Sequence, residues 1–98
     1  MGYSIINPGF RLGNVVATAA IVGLNLDVYA LLDRHKYGDF GDLSEEDKAH
    51  NYSAVHHGFS VRSLYYVETL TGYVNIYVET SGDRSETFLC LVEEYGNM

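Results

Sequence analysis

Three stretches decide the fold: Val61-Arg62-Ser63-Leu64-Tyr65-Tyr66-Val67-Glu68, Tyr73-Val74-Asn75-Ile76-Tyr77-Val78-Glu79 and Glu86-Thr87-Phe88-Leu89-Cys90-Leu91-Val92. Each alternates with period two, the signature of a strand with one face buried. Val61, Ser63, Tyr65 and Val67 share one side of the first, leaving Arg62, Leu64, Tyr66 and Glu68 on the other. Thr71-Gly72 and Ser81-Gly82-Asp83 are turn signals between them, so the strands read as an antiparallel meander.

The turns set the register. With Thr71 and Gly72 as the two loop residues, Val67 faces Ile76, Tyr65 faces Val78 and Tyr66 faces Tyr77. With Gly82 and Asp83 as the next loop, Ile76 faces Leu89, Val74 faces Leu91 and Tyr77 faces Phe88. The aliphatic set then lies on one side, as a consistent register demands. The other side carries a cross-strand row of Tyr66, Tyr77 and Phe88, flanked by Tyr73 and Leu64.

Working back toward the amino terminus, helices supply the cover for the aliphatic side. Ser44-Glu45-Glu46-Asp47 is a capping start with three acids where the helix dipole favours them, and Gly58 suits a left-handed C-terminal residue. The helix between them shows a thin apolar stripe of Ala49, Tyr52, Val55 and His56. Residues 38–43 form a loop of glycines and aspartates. Before it, Val28, Leu31, Leu32 and His35 fall at i, i+3, i+4 and i+7 of a helix that Asn25 caps and Gly38 ends. Leu12 to Thr18 begins as a short strand, and Thr18 caps a turn of helix through Ala19, Ala20 and Ile21. Residues 1–11 read as a loose arm, and 12–98 as a single domain. The expected fold is α+β: two to three helices on one face of a three- to four-stranded, mainly antiparallel sheet, in the order β-α-α-β-β-β.

Composition narrows the function classes. The 98 residues are 47% hydrophobic and 19% charged, which fits one globular domain. Six Lys plus Arg against thirteen Asp plus Glu leave a net charge of −7. Direct binding to nucleic acid or to an anionic membrane needs clustered cations and is therefore not expected. One cysteine excludes a disulfide framework and multi-cysteine zinc patterns. Ala17-Thr18-Ala19 lies inside the apolar run from Val15 to Leu24 rather than after it, unlike a secretory signal, so the expected location is cytoplasmic. Asn51-Tyr52-Ser53 matches a glycosylation acceptor but falls inside the helix and reads as coincidence.

Two surface features remain as candidate sites. The aromatic residues Tyr66, Tyr77, Phe88, Tyr73 and Leu64 beside them form a partner-binding patch; the competing reading has the arm, with Ile5, Ile6 and Phe10, folding over it. The acidic strip Asp39, Asp42, Glu45, Glu46 and Asp47 is either a solvated helix start or a negative surface that steers a basic partner. Four histidines lack metal-ligand spacing, Cys90 has no histidine near it in sequence, and no serine sits in a nucleophile elbow. No catalytic residue, metal or cofactor is expected.

The strings Leu12-Gly13-Asn14-Val15-Val16-Ala17-Thr18, Gly38-Asp39-Phe40-Gly41-Asp42-Leu43-Ser44-Glu45-Glu46-Asp47 after Arg34-His35, and Asp83-Arg84-Ser85-Glu86-Thr87 running to Glu93-Glu94-Tyr95 carry a resemblance. The chain resembles a family of small proteins borne on plasmids, phages and integrative elements, often labelled plasmid-related or type I restriction-associated. That family has Trp where Phe40 stands and Pro-Gly where Ala19-Ala20 stand. The resemblance implies a mobile-element origin and, by analogy, interference with host defence of the anti-restriction or anti-CRISPR kind by occupying a protein surface. The expectation is thus a non-enzymatic, acidic interaction protein. The alternatives are a structural homodimer through the aromatic face and a small metal-assisted enzyme or toxin.

Overall fold

A computed structural model describes residues 9–96. The elements run β1 (Asn14–Ala17), α1 (Ala19–Gly23), α2 (Val28–Lys36), α3 (Glu45–His57), β2 (Val61–Thr69), β3 (Gly72–Thr80), β4 (Glu86–Leu91) and α4 (Val92–Tyr95). The four strands form one sheet in the order β1-β4-β3-β2; β1 runs parallel to β4 and the other pairs are antiparallel. The architecture is α+β, as the alternation and helical periods imply. Ile21, Leu31 and Leu32 from α1 and α2 pack on Tyr65, Ile76, Val78 and Leu89. A smaller cluster of Phe40, Ala54 and Val61 seats α3 at the β2 end, with Phe10 and Leu43 beside it.

Both hairpins differ from the expected register by two residues. Leu70 and Thr71 make the first turn, so Tyr65 pairs with Ile76, Val67 with Val74 and Tyr66 with Asn75. Gly72, at φ +125°, opens β3 instead of closing the turn. The second loop spans residues 81–85, which moves Ile76 opposite Leu91 and Tyr77 opposite Cys90. A slip of two leaves every side chain on its own face, so the core set is unchanged. The aromatic row does not survive it: Tyr66, Tyr77 and Phe88 are not cross-strand partners.

The caps show why the helices stop and start where they do. Asp27, rather than Asn25, caps α2 by accepting the Ala30 N–H at 3.1 Å, while Asn25 sits at φ +54° in the link. Ser44 accepts the Asp47 N–H at 3.1 Å to begin α3, and Gly58 ends it at φ +74°. The buried residues of α3 are Asn51 and Ala54, whereas Ala49, Tyr52, Val55 and His56 are exposed, so the expected stripe is on the wrong side of the helix. Asn51 takes the central position because it bonds the sheet edge. Its Nδ2 donates to the Arg62 carbonyl at 2.6 Å and its Oδ1 accepts the Arg62 N–H at 3.1 Å. With both ends of its amide committed in the interior, Asn51 is closed to glycosylation in this fold.

Strand β4 ends one residue early because Val92 to Tyr95 turn into α4. Glu94 Oε1 holds the turn by accepting the Leu91 N–H at 2.9 Å and the Thr18 hydroxyl at 2.7 Å. That turn crosses the face of the sheet opposite α1–α3. Among the described residues no helix is long and apolar enough to cross a membrane.

Candidate interaction surface

The sheet face turned away from α1–α3 carries the aromatic side chains, sorted by the observed register into two groups. Tyr66 and Tyr73 stack, with centroids 4.6 Å apart and planes at 10°. They are diagonal neighbours across β2 and β3, within reach for aromatic rings. Both are open to solvent, 58% and 57% exposed. Tyr77 belongs to the second group, where Tyr95 from α4 lies 4.3 Å away and Phe88 6.1 Å away. Leu64 sits opposite Tyr77 and is half-buried, as are Tyr77 and Phe88.

The second group is more fastened than presented. Tyr77 donates its hydroxyl to Glu79 Oε1 at 2.6 Å, and the same oxygen accepts Arg62 Nε at 3.1 Å. Burial and the neighbouring Glu79 carboxylate hold the Tyr77 phenol well above its ordinary range, so it stays neutral. Cys90 beside it is fully buried, and burial pushes its thiol up, which makes it a packing residue and not an exposed nucleophile. The expected patch is therefore a tyrosine pair in the open plus three half-buried neighbours. Phe10 does not roof it: its ring meets His35 at 5.1 Å, on the helical side of the sheet. Ile5 and Ile6 lie outside the described residues.

The acidic strip divides in the same way. Asp39 Oδ2 accepts Arg34 Nε at 2.6 Å and Asp39 Oδ1 accepts the Gly41 N–H at 3.2 Å; the Arg34 guanidinium holds this carboxyl below its usual range. Asp42 accepts the Tyr66 N–H at 3.0 Å, and its own N–H donates to the Leu64 carbonyl at 2.7 Å. Asp39 thus fastens the loop to α2, and Asp42 fastens it to β2. Glu45, Glu46 and Asp47 stand exposed on the first turn of α3, where Glu45 meets Lys48 at 3.5 Å. All five acids are exposed, but the first two are committed to bonds within the fold, while Glu46 and Asp47 make no side-chain ion pair among the described residues.

One buried arrangement has nucleophile–base spacing. His35 Nδ1 lies 2.6 Å from Ser63 Oγ, and Nε2 lies 2.9 Å from Thr80 Oγ1; Thr80 and Thr87 hydroxyls are 2.6 Å apart. Thr87 donates to the Leu12 carbonyl at 2.7 Å. A carbonyl only accepts, so the proton order follows link by link: Thr80 donates to Thr87, His35 Nε2–H donates to Thr80, and Ser63 donates to Nδ1. All four side chains are fully buried. Burial, assisted by the Arg84 charge, lowers the His35 pKa to about 4. The chain joins α2 to three strands, with Ser63 fully buried. His35 is visible in sequence only as the polar member of an apolar face; Ser63, Thr80 and Thr87 show only as inward positions of their strands. Among the described residues no three His, Cys, Asp or Glu side chains gather as a metal site.

Comparison of the chain with protein-family models, with curated proteins and with solved structures finds no match.

Proposed function

We propose that this chain is a small acidic, non-enzymatic interaction protein of a mobile genetic element, acting in the cytoplasm to inhibit a host defence system by covering a protein surface. The observation that supports a contact role is the stacked Tyr66–Tyr73 pair standing open on the sheet face. Stacked tyrosines offer a large, rigid and amphipathic area at small entropic cost, the make-up of a binding hot spot. The exposed acids at the start of α3 and the net charge of −7 favour a basic partner. The mobile-element origin and the defence target rest on the resemblance in the three strings quoted above.

The test separates contact from target. Expression of the chain in restriction-proficient cells is expected to raise the recovery of unmodified plasmid DNA. The Tyr66→Ser, Tyr73→Ser double variant is expected to lose that effect with unchanged circular dichroism. Tyr29→Ser, on the exposed face of α2, should behave as wild type. No rise with the wild-type chain removes the restriction target, and equal activity of the double variant removes the tyrosine pair as the contact.

A further inference from the structure

The two edges of the sheet are finished differently. Along β2, the outward N–H groups of Arg62, Leu64 and Tyr66 are all taken, by Asn51 Oδ1, the Phe40 carbonyl and Asp42 Oδ2. Along β1, the Asn14 N–H donates to the Ser85 carbonyl at 2.9 Å and the Thr18 N–H to the Leu89 carbonyl at 3.1 Å. In a parallel ladder with this phase, the even residues bond β4, and the N–H and C=O of Val15 and Ala17 point away from the sheet. Among the described residues nothing bonds them. The strand Asn14–Ala17 holds no charge and no proline, the devices that ordinarily blunt an edge. Val15 and Val16 are 43% and 48% exposed.

A second, independent feature lies beside this edge. Val16, Ala17, Thr18, Glu86, Phe88 and Leu89 line a hollow of about 340 Å³ with mostly apolar walls. Open backbone groups next to a side-chain hollow are the two parts that strand addition uses, the first for affinity and the second for specificity. Charge then selects the occupant. Glu86 pairs with Asn14 at one end of β1, and Glu94 is bonded to Thr18 at the other. Arg11, Lys36 and Arg84 line a second cavity that adjoins the Asn14 end, with Asp83 among them, whereas the one charged residue lining the hollow itself, among the described residues, is Glu86. A second copy of the chain would bring another −7 and its own Glu86 and Glu94 to the seam. A strand with basic residues on either side of an apolar one places one of them at Glu86 in the hollow and the other toward Glu94 beyond Thr18.

We infer that the β1 edge receives, as a fifth strand, an extended segment of a partner protein in which lysine or arginine flanks an apolar residue, whose side chain enters the hollow beside Phe88. This surface is separate from the Tyr66–Tyr73 pair, so either contact can fail without the other.

The experiment titrates the full chain with a labelled synthetic peptide of three central valines between pairs of lysines, read by fluorescence anisotropy and by amide chemical shifts. Saturable binding with the largest shifts at Val15 and Ala17 is expected. A peptide with proline at its centre, or with glutamates for lysines, should bind about tenfold more weakly or less. Val15→Pro removes an outward donor that β4 does not use; Glu86→Lys leaves the backbone untouched and should weaken binding about tenfold at low salt, less so when salt screens the pair. No shift at those amides with millimolar peptide, equal binding of the lysine and glutamate peptides, or shifts centred on Tyr66 and Tyr73 overturns the inference. So does a homodimer in sedimentation that Glu86→Lys strengthens, since the edge would then be taken by a second copy.

Discussion

The side-chain amide of Asn51 pairs with the backbone of Arg62 through two hydrogen bonds, 2.6 Å from Nδ2 to the carbonyl and 3.1 Å from the N–H to Oδ1. It does for the edge of β2 what a neighbouring strand would do. Asn51→Leu fills similar volume but leaves one donor and one acceptor of Arg62 unmet beneath α3. Each unmet group costs about 1–3 kcal/mol, so a loss of about 3 kcal/mol is expected from urea unfolding. A change below about 0.5 kcal/mol would mean that water replaces the amide freely.

Between the other two anchors of that edge, Phe40 and Asp42, Gly41 bridges to Leu64 as an isolated parallel partner. Its φ is +73°, and a methyl group added there would run into the Leu64 carbonyl oxygen and the Tyr65 ring. Both objections act together, backbone conformation and space. Gly41→Ala is expected to destabilise by more than about 2 kcal/mol. Gly38→Ala is the informative contrast, because φ is +93° there but nothing lies within 4 Å of the added carbon. It should cost clearly less in the same unfolding measurement.

These edge contacts mark where sequence reading reaches its limit. The faces of the sheet are legible, because alternation at Val74, Ile76 and Val78 survives any slip of two. The register is not, because Gly72 supplies its positive φ from the first position of β3, which a two-residue turn signal cannot distinguish from the loop. The stripe of α3 is misread for a related reason. Asn51 is polar, and only the bare backbone of Arg62 makes a polar residue right for a buried position. The turn at Val92–Tyr95 is hidden by alternation that continues past Leu91, and its fastening by Glu94 comes from Thr18, 76 positions away. The open tyrosines were within reach of pattern; their partnership as Tyr66–Tyr73 depended on the register.

The acidic strip offers a prediction that splits it in two. Asp42→Ala removes the acceptor of the Tyr66 N–H, a short-range loss that salt does not alter. It should lower stability by about 1 kcal/mol at any ionic strength. Glu45→Lys with Glu46→Lys instead reverses the exposed charge at the start of α3, where the helix dipole favours acids. The expected loss is about 1–2 kcal/mol at low salt, shrinking as the Debye length falls. Parallel urea titrations at low and high salt distinguish the two, and a salt-independent loss in the charge-reversed variant would assign those glutamates a local bonding role.

Protonation of His35 gives the last prediction, and its sign follows from the order of donors. With Nε2–H committed to Thr80 and Nδ1 accepting from Ser63, a second proton at Nδ1 would evict the Ser63 hydroxyl hydrogen from a fully buried site. Burial disfavours the cation, and the charge acting on it is the like charge of Arg84. The folded-state pKa, lowered from 6.5 to about 4, means that the unfolded chain binds the proton more readily. Stability is then fully present above the unfolded value and is lost as pH falls from 6.5 toward 4. Integrating between about pH 7.5 and pH 5, this one group removes about 2 kcal/mol. That window lies above the midpoints of ordinary carboxylates, and the difference between wild type and a His35 variant separates this group from the chain's other three histidines. His35→Gln, uncharged throughout, should be less stable at neutral pH yet nearly flat across the window in urea midpoint. An equal slope in the variant and the wild type would show that the buried chain opens to water before the proton arrives.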